Sequence, residues 1–251
     1  MKKTTNVINL ILPALTVACI LLIWQVASKV VGSEYVLPSV GQTFEALLAL
    51  FVQRQFYVSF LGTLLRSLIS FALSFLIGFA LAFLKSRVAI FSKIIEPIIS
   101  VIRALPTIAV ILLLLFWTNS KIAPIIVTML VVLPTSYSHL CSAFENVDKT
   151  AVEAGEVDGA NVKQLFLFVE FPQIAPTFYQ SIGSGISLNF KLMVAAEVIA
   201  QTAKSIGYML NTSKVYFEIA QMMALVVISV AVGVIVEAIF NKLALKVGSW
   251  K

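Results

Sequence analysis

The sequence predicts an all-α integral membrane protein with six transmembrane helices and a cytoplasmic two-helix loop between the fourth and fifth, on three observations. The chain of 251 residues is 60% hydrophobic and only 12% charged, with a mean hydropathy of +1.00. That is too little polar surface to coat a water-soluble globule of this length. Six stretches are long and apolar enough to cross a bilayer core about 30 Å thick, which takes roughly 20 helical residues. Between two of them lies a polar island, Glu145 to Glu170, holding six of the chain's 12 acidic residues.

The six stretches are Ile8 to Ala27, Phe60 to Leu84, Ile98 to Trp117, Ile122 to Leu140, Ile174 to Ile199, and Ile219 to Phe240. They use most of the chain, so a separate soluble domain has no room. Residues 1–59 read as a first span with an outer loop, and residues 60–251 as a five-helix core that includes the loop 145–172. The first apolar run exceeds the roughly 7 to 15 residues of a cleaved signal peptide, so it is expected to be retained. Pro13, Pro106, Pro124 and Pro134 fall within spans and are expected to kink or break them. Trp24, Trp117 and Trp250 lie towards span ends, as interfacial anchors do. Cys19 and Cys141 lack paired spacing and His139 is the lone histidine, which excludes disulfide frameworks and His-rich metal sites.

Orientation follows from Lys and Arg near span ends, since cytoplasmic loops retain positive charge. An inside N-terminus puts ten of the 18 on the cytoplasmic side: Lys2, Lys3, Lys85, Arg87, Lys93, Lys149, Lys163, Lys242, Lys246 and Lys251. Arg54, Lys121, Lys204 and Lys214 fall outside. Both termini and the island are then cytoplasmic, and the net charge of +6 needs no nucleic-acid partner.

Within the island, Thr150 and Glu153 have capping-box spacing, which starts a short helix carrying Ala151, Val152, Ala154 and Val157. Gly159 can adopt the left-handed backbone that stops it. Asn161 with Gln164 restarts a helix with Val162, Leu165, Phe166, Phe168 and Val169 on an apolar side. Pro172, lacking a donor, is expected to close it. The product is a helix-turn-helix bracket.

Glu153, Ala154 and Gly155, then Gly159 after three residues, then Val169, Phe171 and Pro172, resemble the coupling loop of ABC importer permeases. That motif reads Glu-Ala-Ala, three residues, Gly, nine residues, Ile, one residue, Leu-Pro. The spacing matches throughout, with Gly155, Val169 and Phe171 as the departures. Gly155 costs a helix about 1 kcal/mol relative to alanine, at the expense of the first arm's rigidity. Leu37-Pro38-Ser39, Arg103-Ala104-Leu105-Pro106, Ala196-Glu197 and Ile206-Gly207-Tyr208 extend the likeness to the nitrate, sulfonate and taurine branch, which includes vitamin-precursor carriers. The resemblance implies a type I importer fold in a prokaryotic plasma or inner membrane. It implies a permease with no catalytic residue and no cofactor of its own, ATP and Mg being held by cytoplasmic ABC ATPase subunits that grip the coupling loop. Further implied partners are an extracytoplasmic solute-binding protein and a second, usually identical, permease.

Ionisable groups inside a span are costly and face protein or water. Arg66, Arg103, Lys191 and Glu197 are such groups, and snorkelling is one explanation for the two arginines. Ser181, Gly185 and Asn189, beside Gly183 and Ser187, form a small-residue ridge, matched by Ser70, Ser74, Gly78 and Ala82; close helix packing is favoured over solute contact. Asn189 and Lys191 are candidates to border a translocation path. Arg66, Lys191 and Glu197 would form a net positive outer group suited to an anion such as a sulfonate. A self-sufficient secondary transporter or channel would need coupling carboxylates near the midplane, where acids are scarce. An intramembrane enzyme would need a nucleophile with its base, or metal ligands, which one histidine and scattered serines do not supply.

Overall fold

The structure, a computed structural model, describes the backbone of residues 2–248 and their side chains except 2–11, 13, 14 and 89. Trp250 and Lys251, and the side chains of Lys2, Lys3, Pro13 and most of the first turns of the predicted span Ile8 to Ala27, therefore lie outside the description. Helices α1 (Lys2–Val31) and α2 (Val40–Val52) are joined by a polar turn. There Trp24 Nε1 donates to the Pro38 carbonyl and Ser28 Oγ to the Leu37 carbonyl, each at 3.0 Å. Trp24 is thus a structural donor and more than an anchor. Ser39 and Gln42 form a reciprocal capping box that starts α2, satisfying two orphan backbone donors.

The core elements follow: α3 (Arg54–Arg87), α4 (Ala89–Ala104), α5 (Thr107–Trp117), α6 (Ala123–Glu145), α7 (Lys149–Val157), α8 (Val162–Leu165), a π turn (Phe166–Glu170), α9 (Phe171–Ala200), α10 (Ile206–Val215) and α11 (Ile219–Gly248). The predicted third span is not one helix. α4 and α5 are bent by 92°, because Pro106 has no N–H and its ring disfavours helical backbone at Leu105, which is extended. Pro134, by contrast, sits inside the continuous α6, and Pro124 falls in its first turn, where a missing donor costs little. Among the described residues four helices are long and apolar enough to cross a membrane, five if the bent pair is one span. The described apolar part of α1, Leu15–Val31, is shorter than a full crossing.

α9 is the central helix, packed against α3, α6, α10 and α11. One core cluster joins Phe71, Phe75, Leu140, Phe144 and Ile174 in the half of the bundle next to α7. A second joins Leu50, Phe56, Phe190, Ile206 and Leu225 in the other half. The small-residue ridges are packing surfaces: Ser70, Ser74, Gly78, Ala82, Ser181, Gly185 and Asn189 are all buried.

Gly207 is where α10 rests on α9. A β-carbon there would stand 2.6 Å from the Val198 backbone nitrogen and collide with Glu197. Backbone cannot rotate away as a side-chain tip can, and overpacking of this kind costs about 1–3 kcal/mol. Gly207→Ala is therefore expected to lower the melting temperature of the detergent-solubilised protein by several degrees, and an unchanged melting curve would contradict this packing.

Candidate functional site

The polar island folds as a bracket at one end of the bundle. Its first helix, α7, is capped by Asp148 and not by Thr150: the Thr150 N–H donates to Asp148 Oδ1 at 2.9 Å and the Thr150 hydroxyl at 2.6 Å. With Asp148 supplying the acceptor two residues earlier, Thr150 becomes a donor inside the first turn. The same bonds hold the Asp148 carboxyl below its ordinary range. A depressed value means the cap is intact at neutral pH and is lost as pH falls through it.

α7 ends in a Schellman motif. Gly159, at φ +82°, takes the left-handed position, its N–H bonds the Glu156 carbonyl and the Ala160 N–H bonds the Gly155 carbonyl, each at 3.0 Å. Gly155 does not break α7. The space of its missing side chain is filled by Leu165, whose Cδ2 would lie 2.7 Å from an added β-carbon, so the glycine lets the two arms close on each other. The Asn161–Gln164 capping box is present in both directions, at 2.8 and 3.0 Å.

The second arm departs from expectation. Pro172 does not close it; the helix runs on from Val162 to Ala200 as 39 residues. The π turn makes this possible, because its wider register lets the Phe171 N–H reach the Phe166 carbonyl, and local π geometry absorbs the bond a proline cannot make. The bracket is therefore the continuous foot of α9. Glu153, Ala154, Gly159 and Pro172 are exposed on it, while Gly155, Val169 and Phe171 are half-buried. Val157 and Phe168 also project, 87% and 77% exposed, an apolar display that water alone does not favour.

An aromatic cluster roots the bracket in the bundle. Phe166 meets Phe83 of α3 edge-on at 5.4 Å and Phe171 meets Phe178 at 5.7 Å. Beside them Arg87 of α3 forms an ion pair with the buried Glu170, and its guanidinium lies 5.0 Å from the Phe83 ring centre. Sequence reading missed this pair, since Glu170 occupies the motif's unspecified position; the only signal was an acid beside an apolar run.

The intramembrane residues separate into two groups. Glu197 is fully buried: Arg66 Nε donates to its Oε1 at 2.8 Å with Nη2 ion-paired at 2.7 Å, Thr63 Oγ1 donates to Oε2 at 2.7 Å, and the Gly207 N–H approaches the same oxygen at 3.4 Å. Arg66 thus does not snorkel but pairs with Glu197, while Lys191 of the expected outer group lies along Gly233 of α11. Asn189, also fully buried, donates to the Ser67 carbonyl at 2.6 Å and accepts from Ser70. Lys191 and Arg103 are exposed; Arg103 Nη2 donates to Ser138 Oγ at 2.8 Å. Among the described residues no cluster of three or more His, Cys, Asp or Glu could hold a metal ion.

A capped bracket as the foot of the central helix completes a multi-pass, all-α membrane fold. Residues 74–248 match the family described as binding-protein-dependent transport system inner membrane component, and the chain belongs to that family. The taurine transport system permease protein of Escherichia coli K12 is 27% identical over 124 residues, 48% of this chain and 44% of that protein. A probable ABC transporter permease of Brucella abortus strain 2308 is 23% identical over 219 residues, 86% of each chain. The riboflavin transport system permease protein of Chloroflexus aurantiacus is 22% identical over 125 residues, 49% of this chain and 46% of that one. This chain thus spans less than half the length of the taurine and riboflavin permeases it matches. In fold it is similar to a chain of the inward-facing MetNI methionine ABC transporter, with a TM-score of 0.65 at 16% identity over 74% of this chain and 93% of that one.

Removing Glu197 strands Arg66 without its carboxylate, and breaking a buried pair in this way costs about 3–5 kcal/mol. Glu197→Ala is expected to reduce the yield of folded protein by size-exclusion chromatography, with Arg66→Met/Glu197→Met recovering much of it, since an apolar pair leaves no stranded charge.

Proposed function

We propose that the chain is the pore-forming permease subunit of an ATP-driven importer, whose bracket is the docking element for a cytoplasmic ABC ATPase. The observation that carries this reading is the bracket itself: a twice-capped helical pair, continuous with the central helix, in a chain of the binding-protein-dependent family. Glu153, Ala154, Gly155, Gly159, Val169, Phe171 and Pro172 form the docking surface in this proposal, with Val157 and Phe168 added as its projecting apolar contacts. The permease does no chemistry; hydrolysis belongs to the ATPase, which holds ATP and Mg. A second permease, an identical copy, completes the pore, and an extracytoplasmic binding protein delivers solute.

The proposed topology has six crossings, with α1 as the first and the bent α4–α5 pair as the third. It puts the bracket and both termini in the cytoplasm. Charge supports this: Lys85, Arg87, Lys149 and Lys163 gather at the bracket end, and α11 brings Gly248 against Pro176 there, carrying Lys242 and Lys246 along. The solute we propose is a small anion of the sulfonate, nitrate or taurine type, or a vitamin precursor, in line with the taurine and riboflavin for which two relatives are named. Lys191 and Arg103, both exposed, are the proposed path residues; Asn189, Arg66 and Glu197 hold the helices that flank it.

Two variants test the docking role. Gly159→Pro cannot adopt the positive φ that closes the Schellman motif, and Glu153→Lys reverses charge on the exposed face of α7. Each is expected to insert normally yet weaken retention of the ATPase about tenfold, equivalent to about 1.4 kcal/mol. Uptake of radiolabelled taurine, nitrate and riboflavin by cells carrying the full importer should fall in parallel for whichever is transported. Normal ATPase association together with normal uptake in both variants would defeat the proposal.

A further inference from the structure

We infer that the C-terminal tip of α3 is a two-pronged clasp that makes the bracket and α3 move as one body, with Arg87 and Glu170 as its decisive pair. This rests on the docking reading above and adds the element that receives the motion. The bracket has two ends. At its beginning Glu145 ends α6, and at its exit Glu170 ends the π turn. Both carboxylates are held by cations two residues apart on the last turn of α3: Lys85 Nζ lies 3.1 Å from Glu145 Oε1, and Arg87 pairs with Glu170. Lys85 also reaches Glu96 of α4 at 3.0 Å.

The two prongs are unequal. The side chains of Glu145 and Glu96 are 63% and 52% exposed, so water and salt screen their attraction to Lys85. The Glu170 side chain is only 7% exposed, and Arg87 is fixed a second way by its approach to the Phe83 ring. Phe83 in turn meets Phe166 of the bracket. Aromatic faces alone allow sliding, whereas a guanidinium locked to a carboxylate at its edge sets direction. Both cations also sit at the C-terminal end of α3, where the helix dipole favours them. A bracket displaced by a bound ATPase would therefore carry α3 with it through Arg87.

The test uses the chain purified with its ATPase in lipid nanodiscs, with Cys19→Ser and Cys141→Ala removing the native thiols. Spin labels are placed at Lys163→Cys on α8 and Val58→Cys near the far end of α3, diluted with excess unlabelled chain. Distances are measured without nucleotide and after trapping with ADP and vanadate. With Arg87 and Glu170 intact, the 58-to-163 distance is expected to stay within about 2 Å, the scale of small helix shifts. In Glu170→Gln it is expected to change by about 5 Å, roughly one helical turn, while the ATPase remains bound. Arg87→Glu/Glu170→Arg should restore the fixed distance, and Arg87→Ala, which removes the cation, should lose it. A distance as constant in Glu170→Gln and Arg87→Ala as in the unaltered pair overturns the clasp, and so does a swap that leaves the change in place. Failure of the docking reading shows separately, as unaltered chain that purifies without any ATPase, and it removes the clasp's role as well.

Discussion

Two carboxylates at either end of the rod formed by the π turn and α9, each paired with an arginine on α3, set the frame on which the rest of the structure depends. Glu197 binds Arg66 near one end and Glu170 binds Arg87 at the other. The helices run antiparallel, and 21 residues of α3 separate the two arginines, about 30 Å of helix. That length equals the thickness of a bilayer's hydrocarbon core. Across a core of that thickness, pairs at this spacing would fall near the two interfaces, where a charge costs less than at the midplane. Between them Ser67 and Ser70 of α3 meet Asn189 of α9, and the rings of Phe71, Phe75 and Phe79 fill the seam against Gly185 and Phe178.

The far pair shows how a buried charge becomes structural. Three donors converge on Glu197, from Arg66, Thr63 and the Gly207 backbone, and Thr63 also accepts from the Ile206 N–H. A carboxylate so satisfied fixes α3, α9 and α10 at one point. The glycine at 207 belongs to the same device, since only a residue without a side chain lets α10 close over the carboxylate.

At the near end, geometry converts a loop into a lever. The π turn admits Pro172 without ending the helix, so the second arm of the bracket and α9 form one rod. Leu165 fills the space above Gly155, and a chain of aromatic rings from Phe166 through Phe83 and Phe171 to Phe178 seats the arm on α3 and α9. The exposed face is thus joined to the bundle by packed, discrete contacts and not by a flexible connection.

The sequence by itself determined the membrane setting, the places of the long helices α3, α6, α9 and α11, the two-armed bracket and its stop at Gly159. These follow from hydropathy, helical length and turn chemistry, all of which act over a few residues. The cap at Asp148 instead of Thr150 shows the limit of that reasoning, since two acceptors compete within three positions and backbone geometry chooses. The tertiary structure alone decided that Pro106 would turn the chain sharply while Pro172 and Pro134 would not, because neighbouring packing and a π register determine whether a lost hydrogen bond is tolerated. It alone decided the partners of Arg66 and Arg87, which meet carboxylates 131 and 83 residues away. A charge read in isolation shows its cost in a membrane but not the group, far along the chain, that offsets it.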